Sequence, residues 1–463
     1  MTAVLLWFRQ DLRLDDNPAL VACGDRPVLP VFVLDNEAAG AFAHGGAQRW
    51  WLDQSLRALA AALAARGAPL HLARGRAEEV IPALAAAIGA EEVQAGRLTE
   101  PWARRRDEAV AEKLRAEGRK LLLHTSALLL EPHRVRTKEG KPYGVYTPFS
   151  RAIFALGDPP APLPSPARLT PVAGAPAGLA VDELALLPGP PIPAWWSEFS
   201  TLWEPGEAGA QARIARFVAR AIRGYDSARN LPAVDGTSGL SPHLRWGEVS
   251  PRQVWHAARA AGVTGDSQWL KEIVWREFSH HLLWHRPEMV DTPLNPAFAR
   301  FPAEPDTRLL RAWKAGRTGY PIVDAGMRQL WRTGWMHNRV RMIAASLLVK
   351  HLLQPWQAGA ACFWDRLVDA DLASNSASWQ WVAGCGADAA PYFRVFNPVL
   401  QGEKFDPDGA YVKRWVPELR DVPSATVHKP WEGLLRPRGY PAPIIPHAEG
   451  RQRALAAYAA MRA

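Results

Sequence analysis

Cysteine is scarce in this sequence, and its three copies are far apart. Cys23, Cys362 and Cys385 are the only thiols in 463 residues, and they form no paired pattern. This spacing excludes a disulfide framework and a zinc site built on cysteine pairs. So few thiols predict a reducing compartment, and we therefore expect a cytoplasmic protein.

Long apolar runs are also missing. No stretch approaches the roughly 20 apolar residues that a membrane-spanning helix requires. The N-terminus has no basic leader, and Arg9 and Asp11 interrupt its short apolar run. The first residues therefore predict a buried strand and not a signal peptide, and no membrane partner is expected.

Acidic charge falls short of basic charge. The 55 Lys and Arg residues outnumber 46 Asp and Glu residues, which gives a net charge of +9 and a pI near 9.6. This balance permits a polyanionic partner such as nucleic acid. An arginine-rich composition alone would also produce it, so charge does not decide the question.

Tryptophan, by contrast, is abundant and unevenly placed. Of 21 tryptophans only Trp7, Trp50, Trp51 and Trp102 precede Trp195, so the remaining 17 lie in the C-terminal part. Large rings fill hydrophobic cores. A density this high in one part of the chain calls for a reason beyond packing.

Short apolar runs alternate with helical patterns over the first 130 residues. Runs of strand type lie at 4–8, 28–34, 70–73, 92–94 and 121–124. Between them, leucines at 52, 56, 59 and 63 mark one face of a helix. This alternation predicts an α/β domain with a doubly wound parallel sheet. No glycine-rich phosphate fingerprint accompanies it.

The rest of the chain predicts a linker and then helices. Residues 158–193 are rich in Pro, Ala and Gly and show no periodicity. Helices are predicted from about 207 onward, with stripes at 251–261, 267–285, 306–315, 321–333, 336–353, 358–367 and 371–382. We therefore expect three parts: an α/β domain at 1–130, an interdomain linker at 131–206 and an all-α domain at 207–463.

One turn in the helical part suits a phosphate. Glycines and hydroxyl side chains fill residues 236–241, directly before Pro242. A turn that starts a helix in this way offers hydroxyls and free backbone N–H groups to an anion. An ordinary capping turn would show the same residues.

One predicted helix face suits a nucleic acid. Glu272, Trp275, Arg276 and Ser279 follow one another at helical spacing. A carboxylate, an indole and a guanidinium on one face can hold a base edge, stack a ring and grip a phosphate. A salt-bridged surface helix with one half-buried tryptophan would give the same pattern.

Two further blocks combine polar groups with rings. Asn338 and Met342 lie one helical turn apart, and Arg341 can pair with a buried acid. The block 369–381 places two acids and Asn375 before paired indoles. It lacks histidines and cysteines at ligand spacing, so no metal is expected. Its acids and amide suit the edge of a flavin, and a basic loop with aromatic residues at 393–406 suits a nucleic-acid backbone.

Taken together, these segments resemble the DNA photolyase/cryptochrome family. The match runs nearly end to end, through residues 7–17, 237–241, 275–278, 319–324, 369–381 and 388–394. Within the family, the chain is most similar to a bacterial class I photolyase that acts on cyclobutane pyrimidine dimers. The resemblance implies an α/β antenna domain, a long linker and an all-helical domain that holds FAD in a folded shape.

The resemblance also implies site residues, with Asp369 paired to Arg341 and Asn375 facing flavin N5. The implied FAD contacts are Tyr225, Thr237, Ser238, Gly239, Leu240, Ser241, Trp269, Arg341, Asp369, Ala370, Asp371 and Asn375. The implied catalytic contacts with the lesion are Glu272, Trp275, Asn338, Met342 and Trp381. The implied DNA contacts are Arg229, Glu272, Trp275, Arg276, Ser279, Asn338, Arg339, Arg394, Gln401 and Lys404.

The implied reaction is light-driven and uses no protein nucleophile. Excited reduced FAD gives an electron to a cyclobutane pyrimidine dimer, the ring opens, and the electron returns. A crosslinked dimer stacks poorly, so flipping it into a pocket costs little, and Glu272 would stabilise the anionic dimer. The resemblance thus implies a monomeric deoxyribodipyrimidine photo-lyase, a carbon–carbon lyase whose partner is damaged DNA.

Two family features depart from the usual pattern. In the electron relay, Trp379 and Trp356 match the inner two tryptophans, but the outer position falls on Ala303. Folate-binding members carry an Asn-Glu pair where this chain has residues 100–107, and the pair is missing. The Glu100-Pro101-aromatic run is more similar to members that bind a deazaflavin. We therefore favour deazaflavin over methenyltetrahydrofolate as the antenna, with an empty pocket as a further alternative.

A cryptochrome-type blue-light photoreceptor is the alternative function. Plant-type members tend to have Asp where Asn375 stands, and members that repair the (6-4) photoproduct usually show histidines around Met342. Asn375 and Met342 therefore favour dimer repair. A plain nucleotide-binding protein fused to a helical adaptor would not explain the block 369–381.

Overall fold

The first part of the chain forms a five-stranded parallel sheet. The computed structural model describes residues 2–188, 195–388, 393–433 and 437–462. Its strands are β1 (Val4–Phe8), β2 (Val28–Leu34), β3 (His71–Arg74), β4 (Glu92–Gly96) and β5 (Lys120–His124). Their order is β3-β2-β1-β4-β5, and each pair of neighbours runs parallel. The predicted doubly wound α/β fold is confirmed.

Helices bury both faces of this sheet. In β1, Val4, Leu6 and Phe8 join one hydrophobic cluster, whereas Leu5 and Trp7 join another on the opposite face. This division follows from the two-residue period of a strand, which sends neighbouring side chains to opposite sides. The helices of this part are α1 (Pro18–Val21), α2 (Asn36–Ala39), α3 (Gly46–Ala65), α4 (Ala77–Ala87), α5 (Pro101–Ala116) and α6 (Tyr146–Ala155).

The Pro-rich segment after α6 runs along the sheet domain. Its backbone is tied to that domain by hydrogen bonds from Leu169 N to Arg66 O and from Leu179 N to Leu72 O, both 2.8 Å long. Part of the predicted linker therefore packs on the α/β layer, while α6 packs on a later helix, α12 (Gln268–His285). Residues 189–194 of this stretch lie outside the described residues.

The C-terminal part is helical around one large core, as predicted. Its described residues form α7 (Phe199–Leu202), α8 (Glu207–Arg220), α9 (Tyr225–Ala228), α10 (Ser241–Trp246), α11 (Pro251–Ala260), α12, α13 (Thr307–Lys314), α14 (Pro321–Thr333), α15 (Asn338–Ser346), α16 (Trp356–Arg366), α17 (Leu372–Ala383), α18 (Pro398–Phe405), α19 (Ala410–Trp415) and α20 (His447–Arg462). The helix predicted at 336–353 is shorter, because the chain changes to a π-helical turn at Leu347–His351.

Buried polar contacts join the two parts. Arg13 donates to Gly247 O at 2.9 Å, and the Trp51 indole N–H donates to Glu248 at 2.9 Å. Such contacts fix the position of α10, which follows the turn at residues 237–241. No helix in the described part of the chain combines the length and the apolarity that crossing a bilayer requires.

Candidate flavin and nucleic-acid site

A large cavity, here called the main cavity, opens in the helical part. Its volume is about 630 Å³, within the roughly 300–1,000 Å³ that small-molecule sites occupy. The residues at its wall include nearly every predicted contact: Tyr225, Arg229, Thr237, Ser238, Gly239, Leu240, Ser241, Trp269, Glu272, Trp275, Arg276, Ser279, Asn338, Arg339, Arg341, Met342, Asp369, Ala370, Asp371, Asn375, Trp379 and Trp381. The structure therefore brings together residues that are up to 156 positions apart (225 to 381).

Acids at the start of α17 form the polar wall of the main cavity. Asp369 accepts hydrogen bonds from Arg341 at 2.8 Å and from the Ser241 hydroxyl at 2.7 Å. The predicted pairing of Arg341 with a buried acid is therefore confirmed. Asp371 caps α17 by accepting from Ser374 N at 2.7 Å. Burial raises the pKa of Asp371, but His280, 3.3 Å away, together with the charges of Arg276 and Arg245 holds the pKa well below its usual value.

Some buried polar atoms of this wall have no protein partner. Among the described residues, Asp369 Oδ1 and Arg245 Nη1 are buried and make no hydrogen bond. Unpaired buried polar atoms are costly, so atoms of this kind usually await a ligand or water. An unpaired acceptor and an unpaired donor beside the main cavity fit the polar edge of an isoalloxazine ring, which carries N–H and C=O groups. The residues present therefore fit FAD.

The turn at residues 237–241 closes another side of the main cavity. Gly239 adopts φ +62°, a conformation that side chains rarely adopt. The Trp335 indole N–H donates to the Ser241 hydroxyl at 3.3 Å, so the turn is attached to the segment before α15. Behind the turn, a second cavity of about 130 Å³ contains Arg213, Arg216 and Arg220. This turn combines hydroxyls with nearby cations, as a phosphate requires.

The predicted face of α12 does line the main cavity, but its polar groups already have partners. Glu272 pairs with Arg229 at 2.6 Å and accepts from Gln268 at 2.7 Å. The Ser279 hydroxyl donates to Trp275 O within the helix at 3.0 Å. Arg276 donates to Ala127 O at 2.6 Å, so its guanidinium is engaged inside the protein.

Helix α15 supplies the facing wall. Arg339 donates to Asn230 at 2.6 Å and lies 3.6 Å from the Met342 sulfur. His337 caps this helix, its ring nitrogen accepting from Arg339 N at 3.2 Å. Burial and the charges of Arg341 and Arg339 lower the pKa of His337 to about 4, so the imidazole stays a neutral acceptor.

Helix α17 adds an amide and two indoles. The Asn375 side-chain N–H donates to Ala360 O at 3.1 Å, which fixes the amide beside the main cavity. Trp379 is buried and packs against Phe363, whereas Trp381 is half-buried. Trp356 is buried at the first residue of the neighbouring helix α16 and does not line the main cavity. Its part in an electron relay stays a prediction.

Three predicted DNA contacts lie beyond the main cavity. Lys404 is exposed, and its ammonium lies 5.3 Å from the Phe405 ring, which Arg339 also approaches to 4.5 Å. Gln401 lies on the same helix, α18. Arg394 lines a small neighbouring cavity together with Trp381. These residues therefore extend the mouth of the main cavity, while residues 389–392 of the matching motif lie outside the described residues.

Sequence reasoning missed several residues of the site. Arg245 donates to Ala370 O at 2.6 Å and is buried beside Asp371. Trp335, Arg213 and Tyr146 also belong to the site or support it. The position of Arg245 on α10, four residues after Ser241, is a signal that helical spacing could have found. The local sequence around Trp335, Arg213 and Tyr146 contains no pattern that predicts a place in the site.

Comparisons with known proteins agree with this geometry. A family model described as DNA photolyase matches residues 4–167, and one described as the FAD binding domain of DNA photolyase matches residues 269–460. The chain is 48% identical to a deoxyribodipyrimidine photo-lyase of Agrobacterium fabrum, over 99% of this chain and 98% of that protein.

Cryptochromes and solved photolyase structures are similar as well. Cryptochrome-2 of Arabidopsis thaliana is 37% identical, over 93% of this chain and 73% of that protein. The crystal structure of a bacterial class III photolyase from Agrobacterium tumefaciens is 47% identical and superposes with a TM-score of 0.95, over 100% of this chain and 98% of that one. The class I assignment drawn from the motifs stays a prediction.

Proposed function

The chain belongs to the DNA photolyase family and binds FAD, and from this premise we propose that it repairs cyclobutane pyrimidine dimers in DNA with light. The observation that carries the proposal is the combination of residues in the wall of the main cavity. The wall presents Asp369, Asp371 and Asn375, which suit a flavin edge. It also presents the indoles of Trp275 and Trp381, which suit two adjacent bases flipped out of a strand.

The protein's own part is binding, orientation and charge. When bound, FAD supplies in its reduced, light-excited state the electron that opens the cyclobutane ring, and receives it back. Arg341 and Ser241 fix Asp369 toward the cofactor, and the turn at residues 237–241 holds the phosphates. Trp275 and Trp381 stack on the dimer, and Asn338 binds a base edge. In its protonated form, the Glu272 carboxyl donates a hydrogen bond to a pyrimidine carbonyl, where negative charge develops.

Illumination of the reduced, FAD-loaded protein with a dimer-containing oligothymidine tests the proposal. We expect thymine absorbance to recover in the light and to stay low in the dark. The Glu272→Gln variant should repair more slowly, whereas Glu198→Gln, which removes a carboxylate that pairs with Arg332 outside the main cavity, should match the parent. Absence of recovery, with a light-dependent change only in the flavin spectrum, would favour the photoreceptor alternative that the cryptochrome likeness suggests.

We also propose an antenna chromophore in the α/β domain, with deazaflavin favoured. A cavity of about 330 Å³ lies at the carboxyl ends of β2 and β3, between Leu34, Arg49 and Arg74. Ligands of open parallel sheets bind at this edge. An absorbance spectrum and an extraction of the purified protein will identify the chromophore. A folate, or no second chromophore, contradicts the deazaflavin assignment.

A further inference from the structure

Trp275 does not stand alone in the wall of the main cavity. Its indole lies against the ring of Tyr146, with ring centroids 3.4 Å apart and planes 4° from parallel. Tyr146 is the first residue of α6 and is 8% exposed. One face of the indole is thus covered by this tyrosine, and the half-buried indole also lines the cavity.

Tyr146 is itself held firmly. Its hydroxyl donates to Lys271 O of α12 at 3.0 Å, and its ring packs edge-on against Phe278 of the same helix at 5.8 Å. Phe149, one turn further along α6, also packs on Phe278 at 5.2 Å. The tyrosine therefore bridges α6 to the backbone and the core side of α12, and its ring has little freedom to turn.

A fixed ring behind an indole restricts the indole. A tryptophan side chain has two torsions. When a tryptophan is half-buried and only one edge of its indole is packed, the side chain can change rotamer. Face-to-face contact over a full ring restricts the indole to one orientation. A stacking surface that is already oriented binds a flat partner without first losing conformational freedom.

We propose that Tyr146 is a positioning residue for lesion recognition, because it holds the Trp275 indole in the plane against which a pyrimidine dimer stacks. This inference rests on the proposed function. It assigns part of the site to the segment at 131–206, which the sequence predicts to be only a linker. It also predicts that the ring of Tyr146 matters and that its hydroxyl matters less.

Fluorine NMR of the FAD-loaded full chain, with 5-fluorotryptophan encoded only at position 275, tests the positioning without DNA. The parent and Tyr146→Phe should each give one narrow resonance, and Tyr146→Leu a broadened or split one. Phe154→Leu is the matched control, because Phe154 lies on the same helix but packs on Trp255 at 5.6 Å. An unchanged resonance in Tyr146→Leu overturns the inference. If that variant does not load FAD, Tyr146→His, with its smaller ring, takes its place with the same expected direction.

Binding of dimer-containing and undamaged oligothymidine then tests the role in recognition. Tyr146→Leu should weaken binding of the dimer roughly five- to tenfold, the range expected for losing one aromatic pair, and leave binding of undamaged DNA unchanged. Tyr146→Phe and Phe154→Leu should stay within about twofold of the parent. Equal losses for both oligonucleotides overturn the inference. A parent without preference for the dimer overturns the proposed function, while the fluorine spectra still decide whether Tyr146 holds Trp275.

Discussion

Two side chains of the main cavity, Asp369 and Arg245, are each held by a hydrogen bond within the protein and each retain one unpaired polar atom. One oxygen of Asp369 accepts hydrogen bonds from Arg341 and Ser241, and its other buried oxygen has no partner among the described residues. Arg245 Nε donates a hydrogen bond to Ala370 O, whereas Arg245 Nη1 has no hydrogen-bond partner among the described residues. This arrangement orients each group before a ligand arrives, and it explains why the residues fit a polar ring edge.

Arg213 lies beside the turn at residues 237–241, where we expect it to bind a phosphate of FAD. Its Nη1 lies 2.7 Å from the place where a Cβ on Gly239 would stand. It is half-buried, and no carboxylate in the described part of the chain lies within salt-bridge distance of it. Burial lowers its pKa, and the nearby Arg216 charge adds to this effect. The guanidinium of Arg213 thus has no carboxylate partner among the described residues, and it lies beside the turn at residues 237–241, the predicted phosphate contact.

We expect Arg213→Ala to weaken FAD binding about tenfold, because the phosphates lose a charge-assisted partner. Gly239→Ala should also weaken binding, since a side chain strains the left-handed backbone and displaces the guanidinium. Fluorescence titration of the apoprotein with FAD measures both. Arg216→Ala is the matched control on the same helix, because Asp235 already neutralises Arg216. Equal FAD affinities of parent and Arg213→Ala would exclude this role.

At the scale of elements, α12 connects several helices to the site. It packs on α6, α9, α11 and α17, and it carries one wall of the main cavity. His281 fastens it to the preceding segment: its Nε2 accepts from Tyr143 N at 3.0 Å, and Nδ1 lies 3.2 Å from Pro132 O. Only a neutral imidazole with its proton on Nδ1 satisfies both contacts.

This contact predicts a pH dependence of stability. Burial, with the charge of His285, lowers the pKa of His281 from 6.5 to about 4. The unfolded chain therefore binds this proton more readily than the folded one. The contribution of His281 is complete above pH 6.5 and is lost as the pH falls toward 4. Between pH 7.5 and 5 the loss should be about 2 kcal/mol.

Urea unfolding at these two pH values measures this loss. His281→Gln, which has no proton to gain, should lose about 2 kcal/mol less than the parent over the same interval. His256→Gln, on α11, controls for the removal of one imidazole. The same pH dependence in the parent and in His281→Gln would show that His281 does not titrate in this way.

Two elements differ from what their sequence predicts. Helix α6 lies in the segment predicted as linker, because its ten residues are short and its helical conformation depends on packing against α12. The π-helical turn Leu347–His351 follows α15, where uniform periodicity predicts one α-helix. Such turns are not visible in a hydrophobic pattern, because they insert one residue without changing residue type.

At the scale of the whole molecule, basic side chains gather at the mouth of the main cavity. Arg229, Arg339, Arg394 and Lys404 lie at or near it, whereas Arg276 is engaged with backbone carbonyls inside the protein. Part of the basic charge behind the net charge of +9 is therefore concentrated where nucleic acid would bind. This placement supports the proposed DNA surface.

We expect binding of dimer-containing duplex DNA to weaken with salt, with a slope of log affinity against log salt of roughly −4 to −5 for about five neutralised phosphates. Lys404→Gln should reduce the steepness by about 0.9 and weaken damaged and undamaged DNA equally, because it removes one phosphate contact. Lys113→Gln, exposed on α5 of the sheet domain, is the matched control. A flat salt dependence would contradict the basic mouth.

The sequence by itself determined the two-part architecture and most of the site's membership. Strands such as β1 and β2 are apolar throughout because the sheet is buried on both faces, so a linear pattern reveals them. The blocks 237–241 and 369–381 are local runs with distinctive residue types, and they predicted contacts that the cavity contains.

Only the tertiary structure decided which groups face one another. The pairing of Glu272 with Arg229, the stacking of Tyr146 on Trp275 and the approach of Arg213 to Gly239 join segments 43, 129 and 26 residues apart (272 − 229, 275 − 146, 239 − 213). Such contacts depend on how helices pack, and no periodicity along the chain records them. The same packing lets Arg276 donate to Ala127 O, a contact that its helical spacing does not predict.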